Sequence, residues 1–235
     1  MRRACCCNSN GSMTRGTNNT DRETISELTT GRLSVYLRCL TFLESQGQRT
    51  VSSHEMAERF HLNSAQIRKD LACFGEFGTR GVGYDVSRLK NNLVETLGID
   101  RTRNMIIAGA GNLGMALADY TGFNSHGFHI VALVDTDPTK IGRTSREGIP
   151  VLDAHRLGEI VRRNHVEIGI IAVTADSAQT VYDAFVDAGL HAVLNFAPVQ
   201  LRLAPGVKLK SVDLRINLES LSFHLKNVED GLGAR

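Results

Sequence analysis

Apolar residues recur at intervals of three and four from about residue 30 of this chain. The positions are Leu33, Tyr36, Leu37, Leu40 and Leu43. This is the period of one helical face, so it predicts an amphipathic helix that ends near Gly47. Two shorter helices are predicted next, because Ser52 to Glu55 and Asn63 to Gln66 have the spacing of N-terminal caps. Two short capped helices separated by a brief turn are typical of a helix-turn-helix.

The second short helix has an apolar face and basic side chains away from it. Ile67, Leu71 and Phe74 share the apolar face, and Arg68 and Lys69 lie off it. A helix-turn-helix places its second helix in the major groove of DNA. The basic side chains are therefore candidates for DNA contact.

A glycine-dense segment follows this helix. Residues 74–85 contain four glycines with Arg80 near the centre, which predicts a β-hairpin. A hairpin directly after a recognition helix is a wing. Asp85 is placed to cap one more helix, which ends at Gly98. We therefore predict a winged-helix DNA-binding domain over residues 21–100.

A dinucleotide-binding pattern begins just after this domain. An apolar run over residues 105–108 leads into Gly109, Gly111 and Gly114 at the G-x-G-x-x-G spacing, followed by an Ala- and Leu-rich helical segment. The glycines permit the turn, the close approach of a pyrophosphate and the tight packing of helix on strand. Asp135 ends the next apolar run, 21 residues after Gly114. An acid there accepts hydrogen bonds from ribose hydroxyls, which favours NAD over NADP.

Short apolar runs and helical patterns alternate after Asp135. The runs are residues 151–152, 168–173 and 193–196, and the helical patterns are residues 157–163 and 178–187. This alternation predicts a parallel sheet with helices on both faces. The fold class is therefore α/β: an N-terminal winged helix, then a Rossmann-type NAD(H)-binding domain over residues 101–214.

A last helical pattern lies at the end of the chain. Its apolar positions are Leu218, Leu221, Leu225 and Val228. An apolar stripe left exposed would promote aggregation, so this helix needs an apolar partner. We predict that residues 215–235 form a dimerisation helix and tail.

Composition narrows the class of protein. The chain has 235 residues, 42% of them hydrophobic, and no run long enough for a transmembrane helix. Residues 1–20 are polar and aperiodic, which predicts a disordered arm without the apolar segment of a secretory signal. Met13 is a second possible start. We expect a cytoplasmic protein. The net charge is only +2, so DNA binding must depend on the local placement of basic residues.

The five cysteines predict neither a metal site nor a disulfide framework. Cys5, Cys6 and Cys7 are consecutive and lack the C-x-x-C spacing of a zinc site. Cys39 and Cys73 fall within helical patterns, so we expect both to be small core residues.

Four motifs together resemble the Rex family of bacterial redox-sensing transcriptional repressors. They are QIRKDL at residues 66–71, FGEFGTRGVGY at 74–84, GNLG at 111–114 and LNFAP at 194–198. The similarity covers about residues 22–228, in the family's domain order. It implies a homodimer that binds a palindromic operator when NADH is scarce and dissociates when NADH binds. It also implies that the C-terminal helix is swapped and lies between the two domains of the partner subunit.

The chain departs from the family pattern at two positions. Val173-Thr174-Ala175 stands where the family usually has a proline in third place, and Cys73 stands where an aromatic residue is usual. The first departure falls in the loop expected on the nicotinamide side of the cofactor.

With this resemblance, the candidate sites can be assigned residue by residue. The expected DNA contacts are Ser53, Gln66, Arg68, Lys69, Arg80 and Gly81, with Arg80 reaching a minor groove. The expected NADH or NAD⁺ contacts are Gly109, Ala110, Gly111, Asn112, Leu113, Gly114, Asp135, Thr136, Lys140, Ile141, Thr174, Ala175 and Asn195. Tyr120, Asp213 and Arg38 are implied as a relay near the nicotinamide. A charge-assisted pair between Arg38 and Asp213 could hold one domain arrangement.

Two other functions remain open. The chain could be an NAD-dependent dehydrogenase with an appended helical domain. Such an enzyme needs a general acid or base and a substrate anchor near the nicotinamide. His126, His129, His155, His165 and His191 have no evident partner in the sequence, and the residues beyond Arg163 leave little room for a substrate domain. A nucleotide-binding module without a DNA role would leave the wing unexplained.

Overall fold

The computed structural model describes residues 27–75, 77–79, 81–124 and 127–229. The predicted disordered arm, Cys5 to Cys7, Met13, Arg80 and His126 lie outside the described residues. The chain divides into two compact units at Asp100 and Arg101. No helix within the described ranges is long and apolar enough to cross a membrane.

The first unit is a small helical domain with a three-stranded sheet. Its elements in chain order are α1 (Glu27–Ser45), β1 (Thr50–Val51), α2 (Ser53–Phe60), α3 (Ser64–Ala72), β2 (Gly78–Thr79), β3 (Gly83–Asp85) and α4 (Val86–Thr96). The strands are antiparallel in the order β1-β3-β2. Helices α2 and α3 form the predicted helix-turn-helix, and β2 and β3 form the wing.

Side-chain caps set the starts of three of these helices. The backbone N–H of Glu55 donates to Ser52 Oγ at 3.0 Å, and that of Gln66 donates to Asn63 Oδ1 at 3.0 Å. The N–H of Arg88 donates to Asp85 Oδ1 at 2.8 Å. These bonds satisfy N–H groups that have no partner within the first turn of a helix. All three caps are among those that the sequence predicted.

The apolar face of α1 forms much of the core of this unit. Leu33, Tyr36, Leu40 and Leu43 are each at most 2% exposed, and α4 packs against α1. The prediction for Cys39 is confirmed, because its side chain is buried.

The prediction for Cys73 is wrong. Helix α3 ends at Ala72, so Cys73 is the C-cap residue and its side chain is exposed. Its thiol instead donates to the Lys69 carbonyl, with 3.4 Å between Sγ and the oxygen. Phe74 also lies beyond the helix, although it still packs on the core.

The second unit is a six-stranded parallel sheet with helices. Its elements are β4 (Arg103–Ala108), α5 (Asn112–Ala118), β5 (Phe128–Asp135), β6 (Val151–Asp153), a 3-10 turn (Ala154–Arg156), α6 (Leu157–Arg163), β7 (Val166–Ile171), α7 (Ala175–Asp187), β8 (Ala192–Asn195), β9 (Lys208–Ser211) and α8 (Leu214–Glu229). The strand order β6-β5-β4-β7-β8-β9 is the order of a Rossmann domain. The predicted fold class is confirmed.

One strand of this six-stranded sheet was absent from the sequence prediction. Strand β9 carries Lys208 and Lys210, so it lacks the apolar run that marks the buried strands. It pairs in parallel with β8 at the edge of the sheet. Lysines on an edge strand hinder unwanted pairing with another chain.

Candidate nucleotide site and DNA-binding face

The glycine loop between β4 and α5 has a backbone that requires glycine at two positions. Gly109 has a φ of +103°, and a Cβ there would lie 2.5 Å from the Ala172 carbonyl oxygen. A Cβ on Gly114 would lie 1.8 Å from the carbonyl oxygen of Gly109. Gly111, by contrast, faces open space, because an added Cβ would have no atom within 4 Å beyond its neighbours in the chain. The loop therefore packs tightly on one side and leaves room for a ligand on the other.

Asp135 links the end of β5 to this loop. Its Oδ2 accepts from the Ala110 N–H at 2.8 Å and from Lys140 Nζ at 3.0 Å, and its Oδ1 accepts from the Asp137 N–H at 2.9 Å. Burial would raise the pKa of the Asp135 carboxyl, but the two N–H groups and the Lys140 ammonium hold it below its usual value. An ionised carboxylate can accept about four hydrogen bonds. Oδ1 therefore keeps capacity for a hydroxyl donor.

A cavity of about 460 Å³ opens beside the glycine loop and Asp135. It lies beyond the carboxyl ends of β4, β5 and β7. The strand order reverses between β4 and β7, and open α/β sheets bind ligands at such a switch point. Six predicted cofactor residues line the cavity: Gly109, Gly111, Asp135, Thr136, Lys140 and Thr174. The volume is within the range of small-molecule sites.

Three polar residues of the cavity wall were absent from the sequence prediction. Asp176, Ser177 and Thr180 come from the first two turns of α7. Thr180 is four residues from Asp176 and three from Ser177, so it is a neighbour of both on the same side of that helix. A predicted helix start at Ala175, instead of Ala178, would have pointed to them.

The other predicted cofactor residues do not line the cavity. Asn112, Leu113 and Gly114 form the first turn of α5, and Ala110 contributes its N–H to Asp135. Ile141 and Ala175 follow Lys140 and Thr174 in the chain. Their contact with NADH or NAD⁺ stays a prediction.

Asn195 is a further predicted cofactor residue, and its contact with NADH or NAD⁺ stays a prediction. Its side chain is fully buried, and its Nδ2 donates to the carbonyls of Ala197 at 3.0 Å and Val199 at 3.3 Å. Its Oδ1 accepts from the Ala197 N–H at 2.9 Å. The amide thus shapes the loop after β8.

The residues of the implied relay lie on different elements. Arg38 is exposed on α1, and Tyr120 is 59% exposed just after α5, where its ring packs edge-on against Phe123. Asp213 accepts from Arg215 Nη2 at 2.9 Å, and this ion pair lowers the pKa of the Asp213 carboxyl. The pairing of Asp213 with Arg38 stays a prediction.

The exposed face of α3 carries the predicted DNA contacts. Arg68 and Lys69 are both exposed, and Arg68 Nη1 donates to Ser53 Oγ at 2.9 Å, which joins α3 to the start of α2. Gly81 is exposed in the turn of the wing, and Arg80 beside it lies outside the described residues. The contacts of all these residues with DNA stay predictions.

A buried polar cluster behind α3 was missed by the sequence analysis. Asp70 is 2% exposed, and its carboxylate accepts from Arg32 Nε at 2.6 Å, Arg32 Nη2 at 2.8 Å, Tyr36 Oη at 2.8 Å and Gln66 Nε2 at 2.8 Å. Burial would raise the pKa of Asp70, but these donors lower it. Arg32 and Tyr36 belong to α1, so the cluster fastens α3 to α1. Helical periodicity places Asp70 at the edge of the apolar face of α3, but it does not reveal which donors contact its carboxylate.

The comparisons with known proteins agree with this architecture. Residues 24–72 match the family model described as "Putative DNA-binding protein N-terminus", and residues 100–199 match "CoA binding domain". The redox-sensing transcriptional repressor Rex of Carboxydothermus hydrogenoformans is 51% identical over 202 residues, which cover 86% of this chain and 97% of that protein. The chain belongs to the Rex family. The Rex of Streptomyces coelicolor is 46% identical over 85% of this chain and 77% of its own length.

Solved Rex-family structures have the same fold. A structure described as RSP in complex with β-NAD⁺ and operator DNA matches with a TM-score of 0.83 and 39% identity, over 88% of this chain and 94% of that chain. RSP in complex with β-NADH matches with a TM-score of 0.78 and 37% identity, over 88% and 96%. Rex relatives therefore include one protein solved with both oxidation states of the nucleotide.

Proposed function

We propose that this protein is a cytoplasmic, redox-sensing transcriptional repressor. It binds a palindromic operator as a homodimer, and it dissociates when NADH binds. In this way it responds to the ratio of NADH to NAD⁺. The observation that carries the proposal is that one chain combines an exposed basic recognition helix with a dinucleotide cavity whose acid is Asp135. The relative RSP, which has been solved with operator DNA and NAD⁺, supports both halves.

The cavity suits a dinucleotide with free ribose hydroxyls. Asp135 would accept from the adenosine ribose, and Lys140 would flank it. The open side of Gly111 gives a pyrophosphate access to the backbone, as in other Rossmann domains. A dinucleotide that carries a 2′-phosphate would place that phosphate beside the Asp135 carboxylate, and the two negative charges would repel each other. NADH and NAD⁺ are therefore the proposed ligands.

The exposed face of α8 supports the homodimer. Seven large apolar side chains on this helix are each more than half exposed: Leu214, Ile216, Leu218, Leu221, Phe223, Leu225 and Val228. Ile216 and Phe223 lie on the face opposite the other five, so one partner surface would not cover all seven. A helix inserted between two surfaces of a second subunit would. A twofold dimer of this kind would also present two recognition helices to the two halves of a palindrome.

Regulation requires that NADH and NAD⁺ differ in their effect on the dimer. A ligand shifts an equilibrium only by its preference for one state. NAD⁺ carries a positive charge on its ring, so a site that closes around an uncharged ring away from water prefers NADH. Closure of the nucleotide site would change the separation of the two recognition helices. That separation must match half-sites about one helical turn of DNA apart.

The relay would sense which form is bound. Asp213 is ionised and already holds Arg215, so a pair with Arg38 in the dimer must share or replace that contact. Tyr120 is exposed and available for contact with a ligand or a partner. An exchange of the Asp213–Arg215 pair for an Asp213–Arg38 pair is a candidate for the step that links the cofactor to the DNA-binding domain.

A gel shift and an absorbance assay together test the proposal. In the absence of NADH and NAD⁺, the protein should bind an operator duplex and retard it in the gel. NADH should release the duplex at a much lower concentration than NAD⁺. No hydride transfer should be seen with a panel of alcohols and hydroxy acids. Turnover of NAD⁺ with any of these substrates, without DNA binding, would favour the dehydrogenase instead.

A further inference from the structure

Gln66 is held by the buried carboxylate of Asp70. The two residues lie one turn apart on α3, and Gln66 Nε2 donates to Asp70 Oδ1 at 2.8 Å. The other three bonds to Asp70 come from Arg32 and Tyr36 on α1. Asp70 therefore cannot rotate toward another donor without losing its contacts with α1.

This contact determines which way the Gln66 amide faces. The Asp70 carboxylate is ionised and surrounded by donors, so it only accepts hydrogen bonds. The amide must present Nε2 to it, which resolves the choice between the two amide orientations. Nε2 carries two hydrogens, and one is used by Asp70. Within the described part of the chain, Oε1 and the second N–H have no protein partner.

Gln66 is also placed where recognition helices contact bases. It is the third residue after the N-cap Asn63, and the N-terminal residues of a recognition helix reach base edges. Its side chain is half-buried at the border between the apolar face and the exposed face that carries Lys69. It can therefore touch both the cluster and a ligand.

We propose that Gln66 recognises an adenine in each operator half-site and that Asp70 is its positioning residue. The inference rests on the proposed function. Adenine presents the N7 acceptor beside the N6 donor in the major groove, and a glutamine amide matches this pair with one N–H and its carbonyl. Asp70 keeps these two groups together on the side away from α1. Specificity then depends on a side chain that does not touch DNA.

The experiment begins with duplexes selected by the unmodified, NADH-free protein from a randomised library. Competition binding then compares the preferred palindrome with every symmetric single-base-pair variant. The Gln66→Ala protein should lose discrimination at one A·T pair in each half-site, by about 5- to 150-fold. Asp70→Asn should relax the same position, while NADH affinity stays unchanged.

A modified base tests the contact at the level of one atom. Replacing that adenine with 7-deazaadenine removes N7 and keeps the N6 donor. This change should weaken binding of the unmodified protein and leave Gln66→Ala unaffected. Lys69→Ala is the matched control: it should bind every duplex more weakly and still discriminate against 7-deazaadenine.

The outcomes separate this inference from the proposed function. If no duplex is enriched, or if NADH releases none, the proposed function fails and the inference fails with it. If binding and NADH release are normal, the inference is overturned when Gln66→Ala keeps full discrimination, when the position is a C·G pair, or when 7-deazaadenine has no effect. A uniform loss of affinity in Asp70→Asn would make Asp70 purely structural. Should Asp70→Asn not fold, Gln66→Ala and the modified base still decide the adenine contact.

Discussion

Replacing Asp135 with alanine should change the choice between NADH and NADPH. The carboxylate has an unused acceptor site on Oδ1, which a ribose hydroxyl can fill. A hydrogen bond to a charged group is worth about 1.5–3 kcal/mol. Asp135→Ala should therefore weaken NADH binding by roughly 10- to 150-fold. Titration calorimetry or nucleotide fluorescence measures this directly.

NADPH should respond in the opposite direction. Its 2′-phosphate would lie close to the carboxylate, and two unit charges about 4–5 Å apart repel by about 3–4 kcal/mol at an effective dielectric constant near 20. Lys140, 3.0 Å from Asp135, offsets part of this repulsion, and solvent screens more of it. We expect the unmodified protein to bind NADPH at least tenfold more weakly than NADH, which is about 1.4 kcal/mol. Asp135→Ala should bring the two affinities close together.

Lys140 provides the decisive control. With Asp135 gone, the Lys140 ammonium keeps only a longer contact with Asp137, at 3.8 Å, and can pair with the 2′-phosphate. Asp135→Ala/Lys140→Ala should therefore bind NADPH more weakly than Asp135→Ala alone. Asp137→Asn alters a neighbouring acid that lies outside the cavity wall and should leave the ratio unchanged. Equal affinities for NADH and NADPH in the unmodified protein would refute the reasoning, as would an unchanged ratio in a folded Asp135→Ala protein.

Three further predictions concern DNA, assembly and pH. Lys69→Ala or Arg80→Ala should cost about 1–3 kcal/mol of operator binding where a base is read, or lower the salt slope by about one where only phosphate is contacted; a melting curve that shows unfolding would remove the support. Truncation after Leu214 should give a monomeric or aggregated protein without tight operator binding, whereas a soluble dimer still released by NADH in light scattering and gel shifts would contradict the role of α8. The pKa of Asp70 is lowered in the folded state, because the donors led by Arg32 outweigh burial. The contribution of the Asp70 carboxylate to the free energy of unfolding should be complete above about pH 4, the pKa of an aspartate in the unfolded chain. It should be lost as the pH falls through the lower pKa of the folded state. Urea denaturation between pH 3 and 6 should show this slope and should show it reduced in Asp70→Asn.

The sequence determined the features that depend on neighbours in the chain. A cap needs only the residue three positions away, so the caps at Ser52, Asn63 and Asp85 were predicted correctly. The glycine loop was also predicted, because its tight turn and helix packing require glycine at particular spacings. Asp135 could be identified because strand length and loop length place the end of the second strand beside that loop.

Tertiary structure decided the contacts between distant residues. Asp70 meets Arg32 and Tyr36 across more than thirty positions of sequence, so no local pattern marks the cluster. Strand β9 is stabilised by its pairing with β8 and not by an apolar run of its own. The hydrogen bonds between the Asn195 amide and Ala197, in the loop after β8, also depend on packing. In each case the stabilising free energy comes from contacts between groups that only the folded chain brings together. Local periodicity does not predict such contacts.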